Sequence, residues 1–251
     1  MMWRVSMGHF KEQPQQRFTY WEDVTEITQV ASRKKFQTGQ EVHTWLASMD
    51  FELQIYNMLS PDENVNAMKF RFIRDQHRYI TSHAILRIII SKYVKEDSSS
   101  IKFGKNKYGK PFLNYQEGED AVRFNMSYSE GVVCYVVSAK NEVGIDLEYV
   151  KSDFDWLGIA KRYFSQKEVN LLKRLPKGNQ IKEFFNFWTR KEALLKAKGI
   201  GLSGMEETKD GEFMTNSSLV SFNYGEDFIG TLAIGSENPH VRFFRFTDHD
   251  G

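Results

Sequence analysis

Two segments constrain this chain more than any others: Val143 to Glu148, VGIDLE, and Trp188 to Leu202, WTRKEALLKAKGIGL. In an extended strand, side chains at i and i+2 share one face. The first segment therefore sends Ile145 and Leu147 to one side and Asp146 and Glu148 to the other. In the second, Glu192 and Lys196 stand four apart, one above the other on a helix. If strand and helix pack side by side, three carboxylates converge with an ammonium beside them. Such hard oxygen ligands suit Mg²⁺, and the cation suits a polyphosphate held against it. Each half also has an ordinary explanation, an exposed helix pair worth about 0.3–0.5 kcal/mol or a solvated acidic strand face. Gly199 and Gly201, flanking Ile200, tip the balance, because they end the helix where the backbone must turn left-handed or approach closely.

The chain has 251 residues, 41% hydrophobic and 27% charged, enough for a substantial core in one large domain or two lobes. A formal charge of +1 argues against a dedicated nucleic-acid binder. The lone cysteine, Cys134 in VVCYVV, reads as a buried strand thiol, and a reducing cytoplasm is the expected location. Apolar runs near Ile88–Ile90 and Val132–Val137 are core-length, well short of the roughly 20 residues that span a bilayer, so no membrane association is expected. The amino terminus lacks a continuous apolar stretch of secretory type. The histidines show no ligand spacing, which speaks against zinc.

Residues 1–40 are polar and are expected to form an extension in which order is partial. Residues 41–140 are expected to make an N-terminal lobe, and 141–251 a C-terminal lobe with the metal site. A strand is predicted in EVHTWLASMD, a helix start at Ser60-Pro61-Asp62, and a long core helix from Asp75 to Val94. Short strands follow at Ile101–Phe103, Ala121–Asn125, Val132–Ser138 and Glu142–Tyr149. Helices are predicted over Trp156–Arg162, Gln166–Leu175 and Ile181–Lys198. Ser218–Tyr224, Phe228–Ile234 and Val241–Phe246 read as a β-meander. Strand, helices, strands thus occurs twice, and HAILRI at His83–Ile88 parallels EALLKA at Glu192–Ala197.

GIDLE, then FSQKE at Phe164–Glu168, then WTRKEALLKAKGIGLS resemble the signature series of the 4'-phosphopantetheinyl transferases, in the larger, single-chain surfactin-synthetase-activating (Sfp-like) subfamily. KYGKP at Lys107–Pro111 and FNMSYS at Phe124–Ser129 resemble two further family motifs, and the match runs from about Val42 to Ser203. The resemblance implies an α+β fold of two similar lobes related by a pseudo-twofold, with coenzyme A in the cleft between them. It also implies a reaction, transfer of the 4'-phosphopantetheine arm of coenzyme A to a serine of an apo acyl or peptidyl carrier protein, releasing adenosine 3',5'-bisphosphate. A monomer is expected, since a duplicated fold encloses its own cleft.

By the same resemblance Asp146, Glu148 and Glu192 hold Mg²⁺ against the pyrophosphate and Lys196 sits over the phosphates. The serine proton goes to Glu168 or Glu192. Lys110 and Ser127 are expected at phosphates of the nucleotide. The chain departs from the family at Tyr128, where relatives have His, and at Glu63 and Asn66, where they place cations. Lys69, Arg71, Arg74 or Arg78 could compensate, and Arg78 matches best. Carrier docking is expected around Lys161, Arg162, Phe164 and Leu171. Two other readings stay open: a lapsed module that only binds coenzyme A or a carrier, and another Mg²⁺-dependent nucleotide pyrophosphate transferase.

Overall fold

The protein is described from a computed structural model, which defines residues 22–23, 36–50, 58–114, 121–201, 204 and 217–247. In chain order its elements are β1 (Glu22–Asp23), β2 (Glu41–Ser48), α1 (Pro61–Ala67), α2 (Ile73–Val94), β3 (Phe103–Lys105), β4 (Pro111–Leu113), β5 (Arg123–Ser129) and β6 (Val132–Ser138). There follow β7 (Val143–Tyr149), α3 (Leu157–Tyr163), α4 (Gln166–Arg174), α5 (Lys177–Lys198), β8 (Ser218–Tyr224), β9 (Phe228–Ile234) and β10 (His240–Arg245). Most of the expected extension, along with Leu202 and Ser203, lies outside the described residues.

Strand β2 shows why a sequence of alternating residues can be buried on both faces. Trp45 and Ala47 pack with Ile85 and Ile89 of α2 and with Tyr135 and Val137 of β6. From the opposite face, Val42 and Leu46 join Cys134, Val136, Val143, Ile145, Leu147 and Leu232 in a core between two sheets. Cys134 is a free, buried thiol, which burial makes a weaker acid than usual. Helix α1 begins as expected, with Ser60 and Glu63 closing a reciprocal capping box and Pro61 at its first position.

The first sheet has the order β1-β10-β2-β6-β5, the second β7-β9-β8, and β3 and β4 form a separate hairpin pair. The predicted meander is therefore corrected. Strand β9 pairs with β7 on one edge and β8 on the other, which leaves no edge for a following strand. Strand β10 instead crosses to the first sheet and pairs parallel with β2. Strand β1 pairs in turn with β10.

A buried polar relay joins β2 to α2. Trp45 Nε1 donates to the Tyr93 hydroxyl at 2.8 Å, and that hydroxyl meets His43 Nδ1 at 2.8 Å. His43 Nε2 lies 2.7 Å from Glu41 Oε1. A carboxylate only accepts and an indole only donates, so a neutral His43 protonated on Nε2 satisfies every group. Burial pushes the His43 pKa down to about 4, against the attraction of Glu41.

The unfolded chain therefore takes up the His43 proton first. Its stabilising share is complete above the unfolded value near 6.5 and is lost as pH falls from there toward 4. Urea titrations at pH 7 and pH 4.5 should show His43→Gln losing less stability between the two pH values than wild type, by an amount on the order of 2 kcal/mol. Equal losses would place the acid sensitivity elsewhere.

Candidate active site

Strand β7 and helix α5 meet in backbone contact. A Cβ placed on Gly144 would fall on the Ala193 carbonyl oxygen and the Ala197 amide nitrogen, so no larger residue fits there. Gly144 shares its face of β7 with Asp146 and Glu148, while Ala193 and Ala197 follow Glu192 and Lys196 directly on the helix. The close approach therefore sets the acidic strand face against the two polar helix residues. Lys196 Nζ lies 2.7 Å from Asp146 Oδ1.

The other edge of β7 is held by side chains of β5. Asn125 Oδ1 accepts from Ile145 N at 3.1 Å, Ser127 Oγ from Leu147 N at 3.3 Å, and Ser129 Oγ from Tyr149 N at 3.0 Å. The alternate residues of one strand thus take the alternate amides of the other. Ser127 Oγ also donates to Asp146 Oδ1 at 3.0 Å and accepts from Lys196 Nζ at 2.9 Å.

These arrangements leave an imbalance. Asp146 is 3% exposed, and its Oδ2 is buried with no hydrogen-bond partner. Burial, and then the charge of Asp146, push the pKa of both Glu148 and Glu192 up to about 7, only partly offset by Lys196. The Trp188 indole donates to Glu148. Among the described residues no three His, Cys, Asp or Glu side chains close a ligand cluster unaided. Yet an orphaned carboxylate oxygen between two crowded glutamates is a donor set that fits a hard divalent cation.

Asp146, Glu148, Trp188, Glu192 and Lys196 line a cavity of about 1050 Å³ with Ser127 and Tyr128. Glu63, Asn66, Lys69, Tyr79 and His83 line it from α1, α2 and the turn between them. The Tyr79 and His83 rings stack there with centroids 3.8 Å apart, and burial holds His83 below the usual histidine value. Their i, i+4 spacing on an otherwise aliphatic helix face was the sequence signal for them, although it reads equally as core. Glu63 has a structural task that accounts for an acid at this position. It accepts from buried Arg87 at 2.8 Å, and Arg87 also donates to the carbonyls of Ser98 and Ile101.

Of the residues predicted for the site, Glu168, Lys110, Arg78, Arg71 and Arg74 do not line this cavity. Glu168 Oε2 accepts from the Ser165 amide at 2.7 Å and hydroxyl at 2.9 Å, and its Oε1 pairs with Lys191 at 3.2 Å. It caps α4, as the serine three residues ahead of it signals. Lys110 borders a separate cavity of about 260 Å³, with its ammonium on the carbonyls of Val143 and Ala197. Arg78 lies by the β5–β6 turn, its guanidinium 3.9 Å from where a Gly131 Cβ would sit. Phe164, expected at a docking surface, is 3% exposed and packed on Phe184.

Comparison with known proteins agrees with this geometry. Residues 142–235 match the 4'-phosphopantetheinyl transferase superfamily, and residues 43–141 match the family described as 4'-phosphopantetheinyl transferase, N-terminal. The chain is 37% identical over 173 residues to the 4'-phosphopantetheinyl transferase HetI of Nostoc sp., covering 67% of this chain and 73% of that protein. It is 34% identical over 148 residues to Sfp of Bacillus subtilis, covering 59% of this chain and 63% of Sfp. A mouse relative, the L-aminoadipate-semialdehyde dehydrogenase-phosphopantetheinyl transferase, is 26% identical over 63% of this chain and 54% of its own length. The chain belongs to the 4'-phosphopantetheinyl transferase family.

Because Gly144 faces backbone atoms that cannot swing aside, Gly144→Ala should destabilise the protein by several kcal/mol. Thermal melting checks this. A variant within 1 °C of wild type would show that strand and helix can separate without cost.

Proposed function

We propose that this chain transfers the 4'-phosphopantetheine arm of coenzyme A to a serine of an apo acyl or peptidyl carrier protein, releasing adenosine 3',5'-bisphosphate. The observation that carries the reading is the buried, unpartnered Asp146 Oδ2 beside Glu148 and Glu192 on the wall of the large cavity. Family membership supports it. So does the pairing of one 22-residue helix with the first sheet and another with the second, each ending in a left-handed residue, Lys95 or Gly199. That repetition favours two related lobes after an extension of residues 1–40, residues 41–140 and 141–251, with β10 of the second span returning to the first sheet and coenzyme A in the cavity between the lobes.

Attack of a serine on a pyrophosphate needs alignment and relief of developing negative charge. Asp146, Glu148 and Glu192 would hold Mg²⁺, which when bound supplies Lewis-acid polarisation of the phosphate oxygens. Lys196, anchored by Ser127 and Asp146, offers its ammonium to the departing bisphosphate. Ser127 fixes both charged partners. Of the two candidate bases only Glu192 lines the cavity, so the serine proton is assigned to Glu192. Tyr128, 57% exposed on the cavity wall, presents a neutral hydroxyl to the nucleotide. Arg78 is the closest match to the family motif for the 3'-phosphate cation, while Lys69 is the one of the four candidate cations that lines the cavity. Exposed Lys161, Arg162 and Leu171 are the remaining candidates for the carrier face. No helix among the described residues is long and apolar enough to cross a membrane. The free, buried Cys134 suits a reducing cytoplasm, and a duplicated fold that encloses its own cleft suits a monomer.

Incubating a panel of apo carriers with coenzyme A and Mg²⁺ should add one phosphopantetheine mass per carrier and release one adenosine 3',5'-bisphosphate. Asp146→Ala and Glu192→Ala should each slow this on the order of a thousandfold, and chelation should stop it. Coenzyme A binding by calorimetry without any mass gain would support the lapsed module instead. Release of phosphate products without an acceptor would support the other transferase.

A further inference from the structure

The last carbonyls of an α-helix have no partners within the helix and must find them elsewhere. At the end of α5, Gly199 turns left-handed (φ +66°), and its amide bonds the Leu195 and Lys196 carbonyls at 2.8 and 3.2 Å. Two further acceptors, the carbonyls of Ala197 and Gly199, are met by side chains from about ninety residues earlier. Lys110 Nζ donates to Ala197 O at 2.6 Å, and Asn106 Nδ2 to Gly199 O at 2.8 Å.

The same Lys110 ammonium reaches Val143 O at 3.2 Å and Glu142 Oε2 at 3.0 Å, so its three protons are all engaged. Asn106 meanwhile closes its own turn. Its Oδ1 accepts from the amides of Tyr108 and Lys110 at 2.9 Å each, and its amide donates to Lys110 O at 2.9 Å. The Lys110 stem therefore leaves a fixed backbone. The fit is close enough that a Cβ on Gly199 would come within 2.7 Å of Asn106 Nδ2 and 3.0 Å of Lys110 Cδ.

Val143 is three residues ahead of Asp146, and Ala197 directly follows Lys196. One side chain from outside both elements thus bonds the start of the strand and the end of the helix that together carry the site. We propose that Lys110 is a positioning residue, an external clamp that fixes the separation of Asp146 and Glu148 from Glu192 and Lys196, and so sets divalent-cation affinity without touching the nucleotide phosphates. This rests on the metal-site reading given under Proposed function.

Lys110→Met keeps the alkyl stem and removes the three donated bonds. Mn²⁺ serves as the probe ion, its binding read by electron paramagnetic resonance. Adenosine 3',5'-bisphosphate binding is measured by calorimetry without metal. The clamp predicts a Mn²⁺ dissociation constant raised about tenfold, a lowered kcat, and metal-free nucleotide affinity within about twofold of wild type. Asn106→Ala, which loosens the same turn, should shift Mn²⁺ affinity in the same direction and stands in should Lys110→Met fail to fold. A tenfold loss of metal-free nucleotide affinity with unchanged Mn²⁺ binding would overturn the proposal and make Lys110 a phosphate ligand. A lowered melting temperature with unchanged Mn²⁺ binding and kcat, measured well below the transition, would overturn it in favour of a simple brace. Absence of Mn²⁺ binding by wild type would refute the metal-site reading itself, a result distinguishable from either of these.

Discussion

Backbone contact between β7 and α5 at Gly144 is the constraint on which the rest of the site depends. Side chains on a helix packed against a sheet normally hold the two backbones well apart, and polar groups on the facing surfaces then have room to diverge. Here Gly144 has no side chain, and its backbone meets the helix directly at Ala193 and Ala197. Asp146 and Glu148, one and two alternations further along the same face, cannot point away from Glu192 and Lys196. Charges that would disperse in solvent are held together in a cavity.

Strand β7 also has to be held at its other edge without becoming part of the larger sheet. An open strand edge exposes unpaired amides, and three of these on β7 are met by Asn125, Ser127 and Ser129. Short polar side chains can do this where a backbone ladder would draw the strands into one plane. The alternation along β5 serves both demands. Phe124 turns into the first core while the Asn and Ser residues turn to β7. Ser127, in the middle, is then already placed to bridge Asp146 and Lys196. The bond that joins the sheets and the one that orients the ion pair share a single hydroxyl.

What the sequence made legible follows from the range of the interactions involved. The face shared by Asp146 and Glu148, the stacking of Glu192 over Lys196, the capping box at Ser60 and the glycine ending α5 all depend on neighbours within a few residues. Strand β10 was predicted as a strand yet given the wrong partner, because pairing depends on which edges are free once β7, β8 and β9 have assembled. Lys110 illustrates the same limit. Gly109 before it and Pro111 after it signal a turn, but its acceptors, Val143 O and Ala197 O, are backbone atoms with no signature in sequence. Glu168 differs, since the serine three residues earlier spelled out a cap that competes with any chemical role. At Phe164 the competing principle was burial, as a ring flanked by cations packs inward as readily as it docks a partner.

The electrostatics of the cavity connect these features. Three carboxylates stand against one ammonium, leaving two formal negative charges in excess when all are ionised. Burial raises the cost of that excess, because lower local polarity strengthens repulsion and weakens hydration together. Lys196 is already committed to Asp146 Oδ1 and Ser127, and it leaves Asp146 Oδ2 without a partner. Two kinds of relief are available, proton uptake by the glutamates or entry of a cation. The upward shift of Glu148 and Glu192 to about 7, from burial and then the charge of Asp146, expresses the first. Held by Asp146, Glu148 and Glu192 as proposed, a divalent ion would offset the same two charges at once and would allow all three carboxylates to stay ionised. On the proposed function such an ion would also offset the charge of a pyrophosphate, so that the repulsion among Asp146, Glu148 and Glu192 would favour its binding.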